Sequence, residues 1–574
     1  MRDTLGATEA AGERPLVPDE SDARLPVFPG ATDASATVVE RRGVARVQAS
    51  AYGNPVTYTP EDRASRALDG DPSTAWRVGA FSPVVGQRIL VEAARPVTTD
   101  HITLLQPTNG PRNRWITEVG LRFDGGPVIT RPLGDASRTG SGQTVEFGRR
   151  RFRTLEITVA ADNVGPRFSY EGLSGVGLAE IGIVDEAPGA TPIRVDEVVR
   201  LPVDLLAAAG RASATRDLVL VMTRERNTPV PPRTGDVEPA LARVFALPTP
   251  RTFTLGGTAR LDPTAPDRAL DTLLGPSRVT ATSSEHLAGD VRFRAASAID
   301  GDPATAWNTP FVAPTGQWME FTNPTPVTVD HLDLRVVADG RHSVPTRVSL
   351  SVDGTVVPLD LPALPDATAE NATVPVRLDL PRTLRGRTVR LTIDAVREVR
   401  TRDFYGNGDV VMPAGVAELG VLGLAQPGLA PGKPSTSFTT PCRSDLLTVD
   451  GRAVPVSIAG TRGDATTRGG LQVIGCDGLD LAAGRHTLRA APGAVTGIDL
   501  DRLDLRSLVT GSDALATRPV PGLAARTAGL RTDGPQVGPT PTVRVVSQGR
   551  DRTTVSVRGA RAGAPFWLVL GQSQ

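Results

Sequence analysis

Apolar and polar residues alternate in short runs through most of the chain from Val44 onward. Examples are His101-Ile-Thr-Leu-Leu, Glu118-Val-Gly-Leu-Arg-Phe and Thr154-Leu-Glu-Ile-Thr-Val, each followed by Gly, Pro or Asp. Alternation with period two, punctuated by turn residues, predicts strands that bury one face, and many of them in series predict an all-β chain of sandwiches. The longest greasy stretch lies near Leu218–Met222, far short of the ~18 consecutive apolar residues a membrane-crossing helix needs. With 59 Gly, 50 Pro and 4% aromatic residues, the composition agrees with short strands and frequent turns and excludes a coiled coil. The 574 residues predict three to five domains at roughly 100–200 residues each.

Several blocks recur in the same order. Ala67-Leu-Asp-Gly-Asp-Pro-Ser-Thr-Ala-Trp76 matches Ala298-Ile-Asp-Gly-Asp-Pro-Ala-Thr-Ala-Trp307 at eight of ten positions. Val97–Leu104 then pairs with Val327–Leu334, Glu118–Gly125 with Arg347–Gly354, and Gly177–Val184 with Gly415–Leu422. A duplication at this spacing sets the partition: a linker over 1–40, copy A over 41–188, an intervening β-domain over 189–275, copy B over 276–425, and a third β-sandwich over 426–574 whose last strand, Pro565–Gly571, runs into the chain end. The stretch after Met1 has no apolar signal core, so the chain reads as a fragment whose export would depend on other sequence.

Lys+Arg and Asp+Glu both number 63, so no net field favours nucleic acid or an anionic membrane surface. Cys442 and Cys476 are the two cysteines. A bridge between them would contribute about 3–4 kcal/mol by chain entropy; the alternative is two unrelated buried thiols.

The duplicated Asp-Gly-Asp-Pro is turn chemistry, and it gathers carboxylates in one tight loop. Asp69, Asp71 and Thr74 in copy A, and Asp300, Asp302 and Thr305 in copy B, offer hard oxygen ligands suited to Ca²⁺, with Glu180 or Glu418 closing the shell. The competing reading is that these aspartates only cap backbone amides of the turn. Trp76 and Trp307 are expected in the core, and so is Trp115. Asp100-His101 and Asp330-His331 are expected to be structural hydrogen bonds, because no nucleophile motif accompanies them. No catalytic constellation emerges. The loops differ between copies, and loops on a rigid sandwich are where specificity resides. Copy A offers Tyr52, Asn54, Tyr58, Asn109, Arg112, Arg114, Phe168 and Tyr170, and copy B offers His286, Phe293, His342 and Tyr405. These are aromatic faces and forked donors of the kind that hold sugars.

Taken together, the Asp-Gly-Asp-Pro turn, Asp-His-Ile-Thr-Leu, Val-Gly-Leu-Arg-Phe-Asp-Gly and the Ala-Glu-Ile ending resemble coagulation factor 5/8 type C (discoidin-like) domains. The resemblance implies tandem galactose-binding-like jelly rolls, usually glycan-binding. It also implies a structural calcium near the loop matching Ala67–Trp76, with ligand loops at one end matching Tyr52–Tyr58, Asn109–Arg114 and Arg167–Tyr170. Copy B departs in those loops. At larger scale, copy A, the Leu218–Arg233 link, Ala240–Phe253, copy B and Pro565–Gln572 resemble the extracytoplasmic part of the arabinofuranosyltransferase D family. That resemblance implies a non-catalytic ectodomain on the outer side of the plasma membrane, joined to a transmembrane portion of the same polypeptide and holding cell-wall polysaccharide, arabinan or galactan, near a transferase centre outside this segment. A structural or protein-interaction module of an envelope complex is the alternative. A self-contained hydrolase would need paired carboxylates facing a groove, and no such pair stands out.

Overall fold

A computed structural model of the chain describes residues 30–53, 59–80, 82–107, 114–164, 174–226, 236–274, 278–402, 409–426, 437–507, 541–549 and 553–560. It is an all-β architecture with three large hydrophobic cores among the described residues, one in each copy and one between them.

In copy A the strands run Val44–Ala49, Arg88–Leu105, Gln143–Asp162, Ile116–Phe123 and Val128–Pro132 across one sheet, with Glu180–Gly182 also on Arg88–Leu105. Trp76–Val78 and Val176–Leu178 form a second, two-stranded sheet. Copy B repeats the plan with Trp318–Val337 and Thr373–Arg397 as its long central strands. The long strands break register at equivalent places, between Glu92 and Val97 and between Thr322 and Val327. Pro96 lies in the first break and Pro324 and Pro326 in the second. Proline has no N–H to give the ladder, so the pairing lapses there and the strand bends. Each copy also turns at an Asp-Gly pair, Asp124-Gly125 or Asp353-Gly354, with positive φ at both residues as a type I′ turn requires; in copy B the pair is the whole hairpin loop, while in copy A the loop runs on through Gly126-Pro127.

Trp76 and Trp307 are core residues, and their indole N–H groups donate to Ala51 O (2.9 Å) and Glu285 O (3.1 Å). His101 and His331 bond Asp100 and Asp330 at 2.6 Å on exposed strand faces. Trp115 is half-buried rather than core, with the Arg138 guanidinium 4.2 Å above its ring.

The partition between copies differs from the one read off the sequence. Residues 189–275 and 426–507 do not make two domains but interleave in two sheets. One sheet orders Val38–Arg42, Asp196–Arg200, Ala242–Leu247, Gly484–Ala490, Leu447–Val449 and Arg452–Ala453. The other orders Leu218–Thr223, Ile498–Ser507, Arg251–Leu261, Leu471–Gly475, Val456–Thr461 and Ser437–Thr439. Copy B is thus an insertion between halves of one central sandwich, and Val38–Arg42, near the expected linker, is its edge strand. Both halves present the same alternating pattern, so periodicity alone could not say that they pair with each other. Cys442 and Cys476 are disulfide-bonded within this sandwich, their Cα atoms 6.2 Å apart. The hairpin Thr542–Gln548/Thr553–Arg558 forms its own two-stranded sheet.

Each copy docks on the central sandwich through an arginine at the same repeat position, six residues before the first aspartate of its turn. Arg63 gives its Nε (3.0 Å) and Nη2 (2.5 Å) to Glu197 Oε2, and Nη1 to Val237 O at 3.2 Å. Arg294 gives Nε to Asp267 Oδ1 at 2.5 Å and Nη2 to Asp271 Oδ1, both on the helix Asp267–Leu274. Both arginines are buried.

Candidate functional site

The acidic turns are built alike. Asp69 Oδ1 accepts from Asp71 N (3.0 Å) and Asp300 Oδ1 from Asp302 N (2.8 Å), while Gly70 and Gly301 take the positive φ that folds the loop back. The Thr74 hydroxyl lies 2.8 Å from Asp69 Oδ2 and 3.0 Å from Asp71 O. Thr305 repeats both distances with Asp300 Oδ2 and Asp302 O. The side chains of Asp71 and Asp302 cap the next turn, accepting from Ser73 N (2.9 Å) and Ala304 N (3.0 Å). Glu180 and Glu418 close on these loops, where the N–H groups of Gly70 and Gly301 favour their charged forms.

The copies differ in what neutralises this charge. In copy A, Arg66 Nη1 lies 3.2 Å from Asp69 Oδ2 and Arg194 Nη1 2.5 Å from Glu180 Oε2. The Arg194 guanidinium covers the turn so closely that a Cβ at Gly70 would stand 3.2 Å from its Cζ. In copy B the residue at the position of Arg66 is Ser297. Among the described residues no arginine comes within ion-pair distance of Asp300, Asp302 or Glu418, and Glu418 Oε1 is buried without a hydrogen-bond partner. Glu180 Oε1 is likewise unpartnered. Burial, reinforced by Asp300, pushes Glu418 up to about 7, and burial pushes Asp300 to about 6. Glu180 is also raised to about 7, its burial and Asp69 outweighing Arg194.

Among the described residues no group of three or more His, Cys, Asp or Glu side chains is arranged to hold a metal ion. The donor set at the copy B turn is a mixed one instead. It has the Asp300 and Glu418 carboxylates, the Thr305 hydroxyl, and the carbonyls of Ser297 and Asp302 that lie 3.5 and 3.0 Å from that hydroxyl. All are hard oxygens, and Glu418, with no arginine paired to it among the described residues, fits a cation there as Glu180, already paired with Arg194, does not.

Of the copy A residues expected to meet sugar, Asn54, Tyr58, Asn109, Arg112, Phe168 and Tyr170 lie outside the described residues. Tyr52 is 4% exposed and packs in the core of copy A, so its ring is not offered to a ligand. Arg114 is buried too. It donates to Ser174 O (3.1 Å), Ser82 O (2.8 Å) and Gly79 O, pinning three loops together. A forked donor that neighbouring loops can reach satisfies buried carbonyls more readily than it waits for sugar.

In copy B, Tyr405 lies outside the described residues. His286 is half-buried near Asp267 and Arg294 at the joint with the central sandwich, and burial lowers its pKa. Phe293, next to Arg294, is half-buried at the same joint. His342 sits apart from them: its Nδ1 lies 3.0 Å from Asp339 Oδ1. Burial would raise Asp339, but bonds from the His342 side chain and the N–H groups of Arg341 and Asn371 overcome it and bring it to about 2. Arg341 pairs with Glu370 at 3.0 Å and Arg397 with Asp366 at 2.6 Å around the same loops.

One surface feature went unread in the sequence. Phe311 (55% exposed) and Val312 (48%) stand out between Pro310 and Pro314. Their loop reaches the same backbone as the His342 loop, since Thr309 N and Ser343 N donate to the neighbouring carbonyls of Ala414 and Pro413. The signal was an aromatic bracketed by prolines just after the Trp307 strand.

Residues 276–433 match the family of the third carbohydrate binding module of arabinofuranosyltransferase D. The chain is similar to arabinofuranosyltransferase D. It is 27% identical over 466 residues to the alpha-(1->3)-arabinofuranosyltransferase of Mycobacterium tuberculosis, covering 77% of this chain and 31% of that protein. Against the enzyme of the same name from Mycolicibacterium smegmatis it is 27% identical over 476 residues, with the same coverage. The chain therefore spans about a third of the curated relatives it matches. In three dimensions it superposes on the cryo-EM structure of arabinofuranosyltransferase D from mycobacteria with a TM-score of 0.61 at 18% identity, covering 88% of this chain and 38% of that one. Copy B thus coincides with the stretch that resembles a carbohydrate binding module of arabinofuranosyltransferase D, on an all-β chain. No helix among the described residues is long and apolar enough to cross a membrane.

Proposed function

We propose that the chain is a non-catalytic glycan-binding region of an arabinofuranosyltransferase, holding the arabinan acceptor of cell-wall arabinogalactan or lipoarabinomannan near a transferase centre carried elsewhere in the polypeptide. The reading places it on the extracytoplasmic side of the plasma membrane, tethered through that remaining part. The observation that carries it is the loop rim of copy B, where exposed Phe311 shares an end with the forked donor Arg341 and the half-buried His342. An aromatic face stacks on the apolar C–H side of a sugar ring while nearby polar groups take its hydroxyls. The match of residues 276–433 to a carbohydrate binding module supports the same assignment. Calorimetric titration with arabinan oligosaccharides tests it. Binding should be measurable for the chain and weakened roughly two- to tenfold by Phe311→Ala, as losing one stacking contact of about 0.5–1.5 kcal/mol implies. No binding to arabinan or galactan would leave the rim as a protein-interaction surface.

We also propose that Ca²⁺ braces the turn of copy B, held by Asp300, Glu418, Thr305 and the carbonyls of Ser297 and Asp302. A bound cation would neutralise the buried carboxylates and tie the start of the repeat to its closing strand. Asp302 contributes its carbonyl while its carboxylate caps Ala304 N.

A further inference from the structure

We infer that the acidic turn of copy A takes no divalent cation, because two guanidinium groups of the chain itself hold its carboxylates, so that only one of the two repeated turns is an ion site. The inference rests on the calcium reading of copy B for its contrast, but its evidence lies in copy A.

The two turns share the Asp-Gly-Asp-Pro loop, the threonine and the late glutamate, and their hydrogen bonds agree almost atom for atom. They part at two arginines. Arg66 is buried; one arm reaches Asp69 and the other donates to Val237 O of the central sandwich, beside the half-buried Glu197. Burial and neighbouring Arg63 disfavour its charge, while Glu197 and Asp69 support it. Arg194 leaves copy A on the strand-bound segment that enters the central sandwich, and folds back over Gly70 to Glu180. Of the three acidic side chains in each turn, Asp69 and Glu180 are paired with an arginine in copy A, and none has an arginine within ion-pair distance in copy B among the described residues.

A divalent ion entering copy A would have to displace Arg194 and crowd Arg66. Arg66 cannot swing to solvent without abandoning Val237 O, so the ion would strand a buried guanidinium next to a second positive charge. Among the described residues copy B offers the same oxygens with no arginine paired to them, and Ser297 is too short to reach Asp300 as Arg66 reaches Asp69. The same substitution ties copy A to its neighbour: Arg66 spans the turn and the central sandwich, so the guanidinium does what an ion does in a free-standing turn and docks the domain as well.

Calcium titration of the chelator-treated full chain by calorimetry tests this, with circular dichroism to confirm folding. Glu180→Gln should leave the number of calcium ions bound unchanged, whereas Glu418→Gln should remove one. The double variant Arg66→Ser/Arg194→Ser should gain one. Loss of an ion in Glu180→Gln would overturn the inference, as would a folded double variant with no added site. If the unmodified chain binds no calcium at all, the copy B reading fails. The copy A inference would then still be decided by whether the arginine variant acquires a site. Arg194→Ser alone changes a half-exposed side chain, and it must show cation binding absent from the parent chain should the double variant not fold.

Discussion

Glu197 takes part in three arginine contacts at once. Arg63 gives two hydrogen bonds to its Oε2, Arg41 Nε lies 2.9 Å from its Oε1, and Arg66 stands close by. Burial alone would raise its pKa, but the arginines outweigh that and hold it far below the ordinary carboxylate range. A depressed carboxylate adds stability that is complete above its unfolded value near 4.5 and is lost as pH falls through the acid range toward the folded value. Glu197→Ala should therefore destabilise the chain by about 3–5 kcal/mol at pH 7, because it strands a buried Arg63, and the deficit should shrink on acidification. Denaturant melts at pH 7 and pH 3.5 measure both; an equal deficit at the two pH values would contradict the account. Arg294, buried against Asp267 and Asp271, is the counterpart in copy B. Arg294→Ala should loosen that copy with a comparable loss, read as a lower melting transition. The repeat of Arg63 and Arg294 six residues before each turn was visible in the sequence but carried no meaning there, since their partners Glu197 and Asp267 lie outside the repeat and show no shared motif.

Among the elements, the Asp-Gly turns and the proline-broken long strands followed directly from local chemistry. Asp and Gly tolerate the left-handed conformation, and proline denies the ladder a donor. Rim chemistry was less legible. Tyr52 and Arg114 carry the right groups for sugar, but a side chain's type does not reveal whether a neighbouring loop has already claimed it, as Ser174, Ser82 and Gly79 claim Arg114. The disulfide belongs to this scale as well. Cys442 and Cys476 are 34 residues apart, so reduction should cost about 3–4 kcal/mol if chain entropy dominates. The loss should fall on the central sandwich while copies A and B keep their transitions. Calorimetric melting with and without reductant, beside Cys442→Ser/Cys476→Ser, checks this; an unchanged profile would refute it.

In the whole molecule, copy B is carried as an insertion within the central sandwich. Ile498–Ser507 lies between Leu218–Thr223 and Arg251–Leu261, and Gly484–Ala490 pairs with Ala242–Leu247. A chain ending at Leu274 would keep copy A but leave one central sheet with three of its six strands and the other with two of seven. Its limited proteolysis should spare residues of copy A and rapidly cleave those between 189 and 274. Persistence of a protected fragment spanning that stretch would show that it folds alone. The amino-acid sequence by itself determined the strand type, the duplication, the acidic turns and the buried tryptophans, because these depend on period, turn chemistry and residue size within a few neighbours. Only the tertiary structure decided that two separated segments make one sandwich, that Tyr52 and Arg114 are buried, that Phe311 stands free, and that arginines fill one acidic turn and not the other. Those outcomes depend on which distant groups meet, and pairing across hundreds of residues leaves no periodic trace in either partner.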